Sequence, residues 1–195
     1  MCGRFYIAEA DTAEDLLRII DALNRRYKGI THVKTQGEIR PTDIIPVMAN
    51  SPSMSTGVYA MKWGYTMPDG KPMFSARSET AAPKPLFSDG MRQRRCIIPA
   101  TLYFEWQKAG TQKIKHAIAT AGSDMIYMAG IYRIEGNRAA CSILTRPPAD
   151  CISHIHNRMP VILPAEATRD WLNLRYDPNE VLAAALTNMT YYPCS

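Results

Sequence analysis

The chain begins Met1-Cys2-Gly3-Arg4-Phe5, and its second residue offers an uncommon chemistry. If the initiator methionine is removed, Cys2 carries a free α-amine and a thiol on adjacent carbons, which is a 1,2-aminothiol. Such a group condenses with an aldehyde: the amine forms an imine, and the sulfur closes a five-membered thiazolidine ring. An α-amine titrates near ~8 and a cysteine thiol near ~8.5, so both are partly reactive at neutral pH. Cys2 is therefore a candidate nucleophile, and the alternative is a small apolar residue that begins a strand.

Glu105 and His156 are the candidate groups for proton transfer. Glu105 lies between Phe104 and Trp106, and an aromatic, partly dry setting raises the pKa of a carboxyl group and suits it to general acid or base work. His156 precedes a polar approach to the β-type run at 161–163, where a histidine can act as a proton shuttle. The alternatives are a solvent-facing edge-strand glutamate and a histidine that only binds backbone carbonyl groups.

Arg77 is the candidate phosphate-binding residue, because it lies among the hydroxyl groups of Ser75, Ser78 and Thr80. One cation among hydrogen-bond donors suits a phosphate. The alternative is an ordinary surface stretch in which Arg77 lies near Glu79.

Composition limits the class of protein. The 195 residues, 46% hydrophobic and 21% charged, predict a single domain spanning 1–195 with a real core. A net charge of +5 slightly favours polyanionic partners. No apolar run reaches the ~18 residues of a membrane span, and the N-terminus lacks a signal-peptide pattern, so we expect a cytoplasmic protein that does not bind membranes.

Neither a metal nor another cofactor is predicted. The five cysteines include no C-x-x-C pair, and structural disulfides are not expected in a reducing compartment. Cys151, His154 and His156 have the spacing C-x-x-H-x-H, which matches no standard zinc pattern and lacks an evident fourth ligand.

The apolar periodicity predicts an α+β fold. A helix is expected to start with a capping box at Asp11 or Thr12, with apolar residues at helical spacing up to Tyr27. Two further helices are expected near the end of the chain, at about 164–174 and 178–186. Between them lie β-type runs at 44–49, 57–63, 96–99, 116–121, 125–133 and 139–145, most of them separated by turn residues. The economical arrangement is one domain with an antiparallel, β-rich, barrel-like core and flanking helices.

Five segments, in this order, resemble the SOS-response-associated peptidase (SRAP) family of abasic-site-processing proteins. They are Met-Cys-Gly-Arg-Phe at the start, Trp63-Gly64-Tyr65, Ala76-Arg77-Ser78-Glu79-Thr80, Phe104-Glu105-Trp106, and His156-x-Arg158-Met159-Pro160. Together they span residues 2–163, which is most of the chain.

The resemblance implies a specific activity. Such proteins remove their own Met1, bind single-stranded DNA or a single-strand/duplex junction that carries an abasic site, and capture the exposed aldehyde with Cys2 as a stable thiazolidine. By position, Cys2 is the nucleophile and Glu105 assists proton transfer, Met1 removal and crosslink reversal. His156 assists opening of the sugar and imine formation.

The resemblance also implies a set of DNA contacts and a monomer. The residues predicted to contact DNA are Arg4, Arg77, Ser75, Thr145, Pro41 and Trp63. Among them, Arg4 and Arg77 would hold phosphates beside the lesion, so binding is expected to weaken with salt.

The chain departs from the family pattern at Ser75, where the family usually has asparagine. Serine is shorter and offers one hydroxyl where an amide offers both a donor and an acceptor. Two alternatives therefore stay open beside the crosslinking activity. One is a thiol peptidase that uses Cys2, and the other is a DNA-binding module whose crosslinking is impaired.

Overall fold

Short strands and short helices alternate along the chain. The computed structural model describes residues 3–9, 13–28, 32–51 and 53–194. The strands are β1 (Phe5–Ile7), β2 (Gly37–Ile39), β3 (Ile44–Asn50), β4 (Thr56–Trp63), β5 (Tyr65–Thr66), β6 (Pro72–Met73), β7 (Ser75–Arg77), β8 (Arg95–Ala100), β9 (Leu102–Ala109), β10 (Gln112–Thr120), β11 (Ile126–Glu135), β12 (Arg138–Arg146), β13 (Met159–Pro160), β14 (Ile162–Leu163) and β15 (Met189–Cys194). The α-helices are α1 (Glu14–Arg26), α2 (Ser78–Ala81), α3 (Pro85–Gln93), α4 (Ala167–Leu172) and α5 (Pro178–Ala183), and a 3-10 turn covers Asp150–Ile152.

Five of the described strands close into a barrel. β4 pairs with β3, β3 with β8, β8 with β11 and β11 with β12, all antiparallel, and a parallel contact between β12 and β4 completes the ring. The side chain of Ile131 lies against Gly90 of α3, so that face of β11 is the outer one. The neighbouring Gly130 faces inward opposite Cys96, and a Cβ there would lie 2.3 Å from Ile98. Small inward side chains therefore let so narrow a barrel close.

A second sheet crosses one end of the barrel. Its described strands follow the order β15–β10–β9–β1–β2, with antiparallel pairing throughout. Phe5 on β1 packs on Trp63 at the end of β4, with ring centroids 4.8 Å apart, and Trp63 packs in turn on Phe74. These ring contacts fasten the second sheet to the barrel, and the candidate site lies at this joint.

The helix α1 is amphipathic, as its spacing predicts. Leu16, Ile19 and Leu23 are buried in the core, since residues three and four apart share one face of a helix. The helix begins at Glu14 after Ala13, which has no side chain that could cap it. The predicted capping residues at positions 11 and 12 lie outside the described residues.

The predicted fold class is confirmed: the structure is an α+β domain with a largely antiparallel barrel and flanking helices. All six predicted β-type runs are strands or parts of strands, and both C-terminal helices form, although they are shorter than expected. The sequence interpretation missed α3 and β15. The latter contains Pro193, which cannot donate a backbone hydrogen bond, and it is tolerated because β15 is an edge strand. None of the described helices is long and apolar enough to cross a membrane.

Candidate active site

Glu105 is buried at the centre of the second sheet. It lies on β9, which is flanked by β1 and β10, so the alternative of a solvent-facing edge residue is wrong. Only 3% of its surface is exposed. Burial raises the pKa of this carboxyl group from 4.5 to about 7, because the charged form loses its hydration. Near neutral pH, Glu105 can therefore both give and take a proton.

His156 lies beside Glu105, on the segment that follows the 3-10 turn. Its Nδ1 is 3.9 Å from the Oε1 of Glu105. Burial lowers the pKa of His156, so the ring favours its neutral form. The backbone N–H of Arg158 donates to Nδ1 at 3.1 Å, which places the proton of the neutral ring on Nε2.

The main chain of Arg158 also fits the charged form of this histidine. Its carbonyl oxygen lies 3.2 Å from the same Nδ1 of His156. A protonated Nδ1 can donate to that oxygen, while an unprotonated Nδ1 accepts from the N–H of the same residue. Both protonation states thus find a partner without movement of the loop, which suits a proton shuttle.

The side chain of Arg158 fixes this loop to the barrel. Its guanidinium donates two hydrogen bonds to Glu79, at 2.6 and 2.8 Å, and a third to the backbone oxygen of Thr145 at 2.6 Å. The hydrogen bonds from Arg158 hold the pKa of Glu79 below its usual range. Because Arg158 is two residues from His156, this bidentate pair sets where the imidazole ring stands.

Thr145, Ser75 and Arg77 lie together, because β12 and β7 run parallel with Thr145 opposite Arg77. Arg77 is exposed at the end of β7 and makes no ion pair with a described residue, so its guanidinium is accessible to an anion. Ser75 is buried, with 6% of its surface exposed, and its contact with DNA stays a prediction. Thr145 is 1% exposed, and its hydroxyl donates to the Ala76 carbonyl at 3.3 Å, so it positions β7, and its contact with DNA stays a prediction.

Trp63 is buried as well, and its predicted contact with DNA is not tested by this burial alone. None of its surface is exposed, and its indole N–H donates to the Phe74 carbonyl at 3.0 Å. A ring enclosed in this way cannot stack on a base, so Trp63 supports the chain that leads into β7. Pro41, also predicted to contact DNA, lies half-buried in the turn between β2 and β3, and its contact with DNA stays a prediction.

Arg4 belongs to a basic group on the other face of the second sheet. Its Nε lies 3.5 Å from the Oε1 of Glu38, which also binds Lys115 at 2.5 Å and Arg40 at 3.7 Å. The hydrogen bond from Lys115 lowers the pKa of Glu38, so one carboxylate balances three cations and the group keeps a positive charge. Lys115 also lies 3.8 Å from the ring centroid of Phe104, which combines charge with an aromatic surface.

Cys2 lies outside the described residues. The chain is nevertheless anchored close to it, because the backbone N–H of Phe104 donates to the Arg4 carbonyl at 2.9 Å. Arg4 is therefore held beside the residue that precedes Glu105.

Other features do not belong to this site. A cavity of about 780 Å³, bordered by Tyr59, Tyr132, Arg94 and Arg138, lies where β4 and β12 diverge, and none of its described lining residues is a predicted site residue. Within the described ranges, no three His, Cys, Asp or Glu side chains converge as metal ligands would.

Sequence reasoning missed the positioning function of Arg158. Its partner Glu79 lies 79 residues away, so no local pattern could predict the pair. The sequence signal for this pair was that Glu79 and Arg158 each lie in one of the five segments that resemble the SRAP family.

The fold and the site define a class of protein: a β-barrel domain in which a buried carboxyl group lies beside a half-buried histidine, with Arg77 exposed on a neighbouring strand. The whole chain, residues 1–195, matches the sequence model of the family described as SOS response associated peptidase (SRAP). The chain belongs to the SOS response associated peptidase family.

Several relatives are similar to this chain in sequence. Abasic site processing protein YobE of Bacillus subtilis is 31% identical over 206 residues, covering 95% of this chain and 88% of its own. Abasic site processing protein YedK of Escherichia coli is 29% identical, covering 88% and 79%. A crystal structure of a protein from Bacteroides thetaiotaomicron matches with a TM-score of 0.80 at 24% identity, over 100% of this chain and 92% of its own, and this likeness supports the fold alone.

Proposed function

We propose that this protein processes abasic sites in single-stranded DNA, including sites next to a duplex, and that Cys2 captures the ring-opened sugar covalently after Met1 is removed. The observation that carries the proposal is the Glu105 carboxyl group, buried and with a pKa raised to about 7, beside a neutral His156. Membership of the family and the names of the relatives, which are abasic site processing proteins, support the same substrate.

The position of Arg4 supports the assignment of Cys2 as nucleophile. Arg4 is held beside Phe104 by a backbone hydrogen bond. We propose that Cys2, two residues before Arg4 in the sequence, reacts in the Glu105 region, since two residues of extended chain span at most ~7 Å. A thiol anywhere else in the chain would lack the adjacent free amine.

The proposed reaction joins the protein to the sugar with loss of one water. The α-amine of Cys2 attacks the aldehyde carbon, and Glu105 in its acid form protonates the departing hydroxyl group, so that an imine and water result. The Cys2 sulfur then adds to the imine carbon, and the thiol proton ends on the nitrogen. His156, with its proton on Nε2, supplies a second acid for opening the sugar ring.

Removal of Met1 is the step that enables this chemistry. While Met1 is attached, the Cys2 nitrogen is an amide and cannot form an imine. We propose that the Cys2 thiol attacks the Met1 carbonyl carbon, the Met1–Cys2 amide bond breaks, and the freed Cys2 amine takes a proton that Glu105 transfers. Water then hydrolyses the resulting thioester, which releases methionine and restores the thiol, so that the protein acts once as a cysteine-dependent peptidase on itself. Intact mass measures this step directly: wild-type protein loses one methionine, whereas Glu105→Gln retains it.

Phosphate contacts should supply most of the affinity for DNA. Arg77 is exposed beside the site, and the basic group around Arg4 carries a positive charge on the adjacent sheet face. Each phosphate neutralised releases condensed counterions, so we expect affinity to fall with salt, with a slope of roughly −0.7 per contact for single strands.

The test is a denaturing gel of Met1-free protein mixed with a single-stranded oligonucleotide that contains one abasic site. A heat-stable shifted band is expected, and its absence would refute the crosslinking activity. Cys2→Ala should abolish the band, while Cys151→Ala, which removes an exposed thiol elsewhere, should leave it. Ser75→Asn should leave the band intact or strengthen it.

A further inference from the structure

The barrel has an open mouth at the end that lies away from the second sheet. β4 pairs with β3 over seven residue pairs, but it pairs with β12 only through Ala140–Lys62 and Cys141–Trp63, at the end where Trp63 packs against the second sheet. Beyond these two pairs β4 and β12 diverge, and the cavity of about 780 Å³ opens between them. A cavity of this size in the mouth of a β-barrel is typical of a small-molecule site.

This cavity is separate from the candidate active site. Arg138 begins β12 and borders the cavity, whereas Thr145 lies near the other end of the same strand, opposite Arg77. Seven residues of strand at ~3.3 Å each put roughly 23 Å between these two positions. A small molecule bound in the cavity is therefore out of reach of Arg77.

Two tyrosine rings border the cavity, Tyr59 from β4 and Tyr132 from β11. Both are half-buried. Burial raises the pKa of Tyr132, so its hydroxyl group stays neutral, and both Arg94 and Tyr59 are close enough to influence that pKa. The Cζ of Arg26 lies 4.3 Å from the ring centroid of Tyr59. These rings give the cavity a surface on which a flat aromatic group can stack.

The lining of the cavity also carries positive charge. Among the described residues, the lining includes three cationic side chains and one carboxylate. Lys62 is balanced by that carboxylate, Glu135, whose Oε2 lies 3.1 Å from its Nζ, and Arg94 pairs with Asp89. Arg138 is exposed and forms no ion pair within the described ranges. A guanidinium without a carboxylate partner is suited to a phosphate.

We propose that this cavity binds a nucleoside phosphate, with the base stacked against Tyr59 and Tyr132 and the phosphate held by Arg138. An aliphatic ligand would make no use of the two rings, and a bare inorganic anion would leave the apolar part of the cavity unfilled. The inference does not depend on the proposed function, because neither Cys2 nor Glu105 takes part in it.

Isothermal titration calorimetry of the full chain with AMP is the direct test. We expect a saturable heat that fits one site. Ribose 5-phosphate lacks the base and adenosine lacks the phosphate, so each should bind at least ~10-fold more weakly than AMP. Absence of AMP binding would overturn the proposal, and so would binding of either fragment as tightly as AMP.

Variants of Arg138 test the phosphate contact. Arg138→Ala should weaken AMP binding by roughly 10-fold or more, which is the loss of one charge-assisted hydrogen bond, and it should leave adenosine binding unchanged. Arg175→Ala is the matched control, because it removes an exposed arginine that does not line the cavity. Equal AMP affinities in these two variants would overturn the assignment of the phosphate to Arg138.

Variants of Tyr132 test the stacking contact. Tyr132→Phe keeps the ring and should bind AMP like the wild type, whereas Tyr132→Leu should weaken binding by at least ~5-fold. Circular dichroism checks that both variants are folded, and Arg138→Ala, at an exposed position, keeps the test open if the leucine variant is not. Equal affinities in the folded phenylalanine and leucine variants would overturn the stacking contact.

Two further measurements locate the bound nucleotide and its source. Arg77→Ala should bind AMP like the wild type, and a loss as large as that in Arg138→Ala would place AMP in the candidate active site and overturn the proposal. A nucleoside phosphate can be free or part of a strand: displacement of AMP from Arg77→Ala by an unmodified single-stranded oligonucleotide supports a nucleotide within a strand, and no displacement supports a free nucleotide. Absence of the crosslinked band would refute the proposed function without affecting these binding results.

Discussion

The free energy of unfolding of Glu105→Gln, measured relative to wild type at the same pH, should increase from acidic to alkaline pH. Glutamine has nearly the same shape but stays neutral. Glu105 titrates at about 7 in the folded protein against an ordinary value of 4.5. Between these two values the folded state binds one proton that the unfolded state has released, so the stability of wild type falls as pH rises through this range.

The size of the effect follows from the two pKa values. One unit corresponds to ~1.4 kcal/mol, so the shift from 4.5 to about 7 amounts to about 3 kcal/mol once both states are ionised. By the linkage relation, the raised pKa of Glu105 lowers the free energy of unfolding of wild type by about 1 kcal/mol at pH 5 and by about 3 kcal/mol at pH 8. The stability of Glu105→Gln minus that of wild type should therefore increase by roughly 2–3 kcal/mol from pH 5 to pH 8.

Urea unfolding at both pH values measures this difference. Any hydrogen bond that glutamine makes or loses adds the same amount at each pH, so the change between pH 5 and pH 8 isolates the ionisation of residue 105. Glu166→Gln is the matched control, because its carboxylate is exposed. A difference for Glu105→Gln that stays flat within ~0.5 kcal/mol would refute the reasoning that burial sets the pKa of this group.

Three further predictions concern arginine and tryptophan. Arg77→Ala should leave urea stability within ~0.5 kcal/mol, yet weaken binding to single-stranded DNA and reduce the salt slope by roughly 0.7 in fluorescence anisotropy; an unchanged slope would remove it from the phosphate contacts. Arg158→Ala should lower the free energy of unfolding by about 1–3 kcal/mol, because Glu79 and the loop that carries His156 lose their hydrogen bonds to Arg158. It should also slow crosslinking on gels. Loss of stability without slower crosslinking would argue against a positioning role. Trp63→Ala should lower the free energy of unfolding by about 3–5 kcal/mol. A loss within ~0.5 kcal/mol, which is typical of surface substitutions, would contradict the burial of Trp63.

Local sequence patterns predict much of this fold. Alternating and continuous apolar runs locate the barrel strands β3, β4, β8, β11 and β12, because strands buried on one or both faces leave a strong compositional signal. The spacing of Leu16, Ile19 and Leu23 predicts α1, because the buried face of a helix leaves apolar residues three and four apart. Patterning does not predict β15, whose tyrosines, proline and exposed side chains give no apolar alternation.

The candidate site, like the fold, was predictable from sequence only in part. The residue types at Cys2, Arg77, Glu105 and His156 indicate their chemistry, because a thiol, a cation, a carboxyl and an imidazole have intrinsic properties that do not depend on the fold. Sequence proximity does not show that Trp63 and Thr145, which adjoin site segments, face the interior. Alternation of side chains along a strand places neighbours on opposite faces, and only the assembled sheets determine which face is covered.

The sequence alone determined which groups are available: a cysteine at position 2, a carboxyl among aromatic residues, a histidine and basic side chains. The tertiary structure alone decided how those groups behave. Burial on a central strand raises the pKa of Glu105, an ion pair across 79 residues holds the His156 loop, and strand register places Thr145 opposite Arg77. These are long-range effects: desolvation depends on everything packed around a group, and register depends on how distant strands pair, so neither is encoded in a local stretch of sequence.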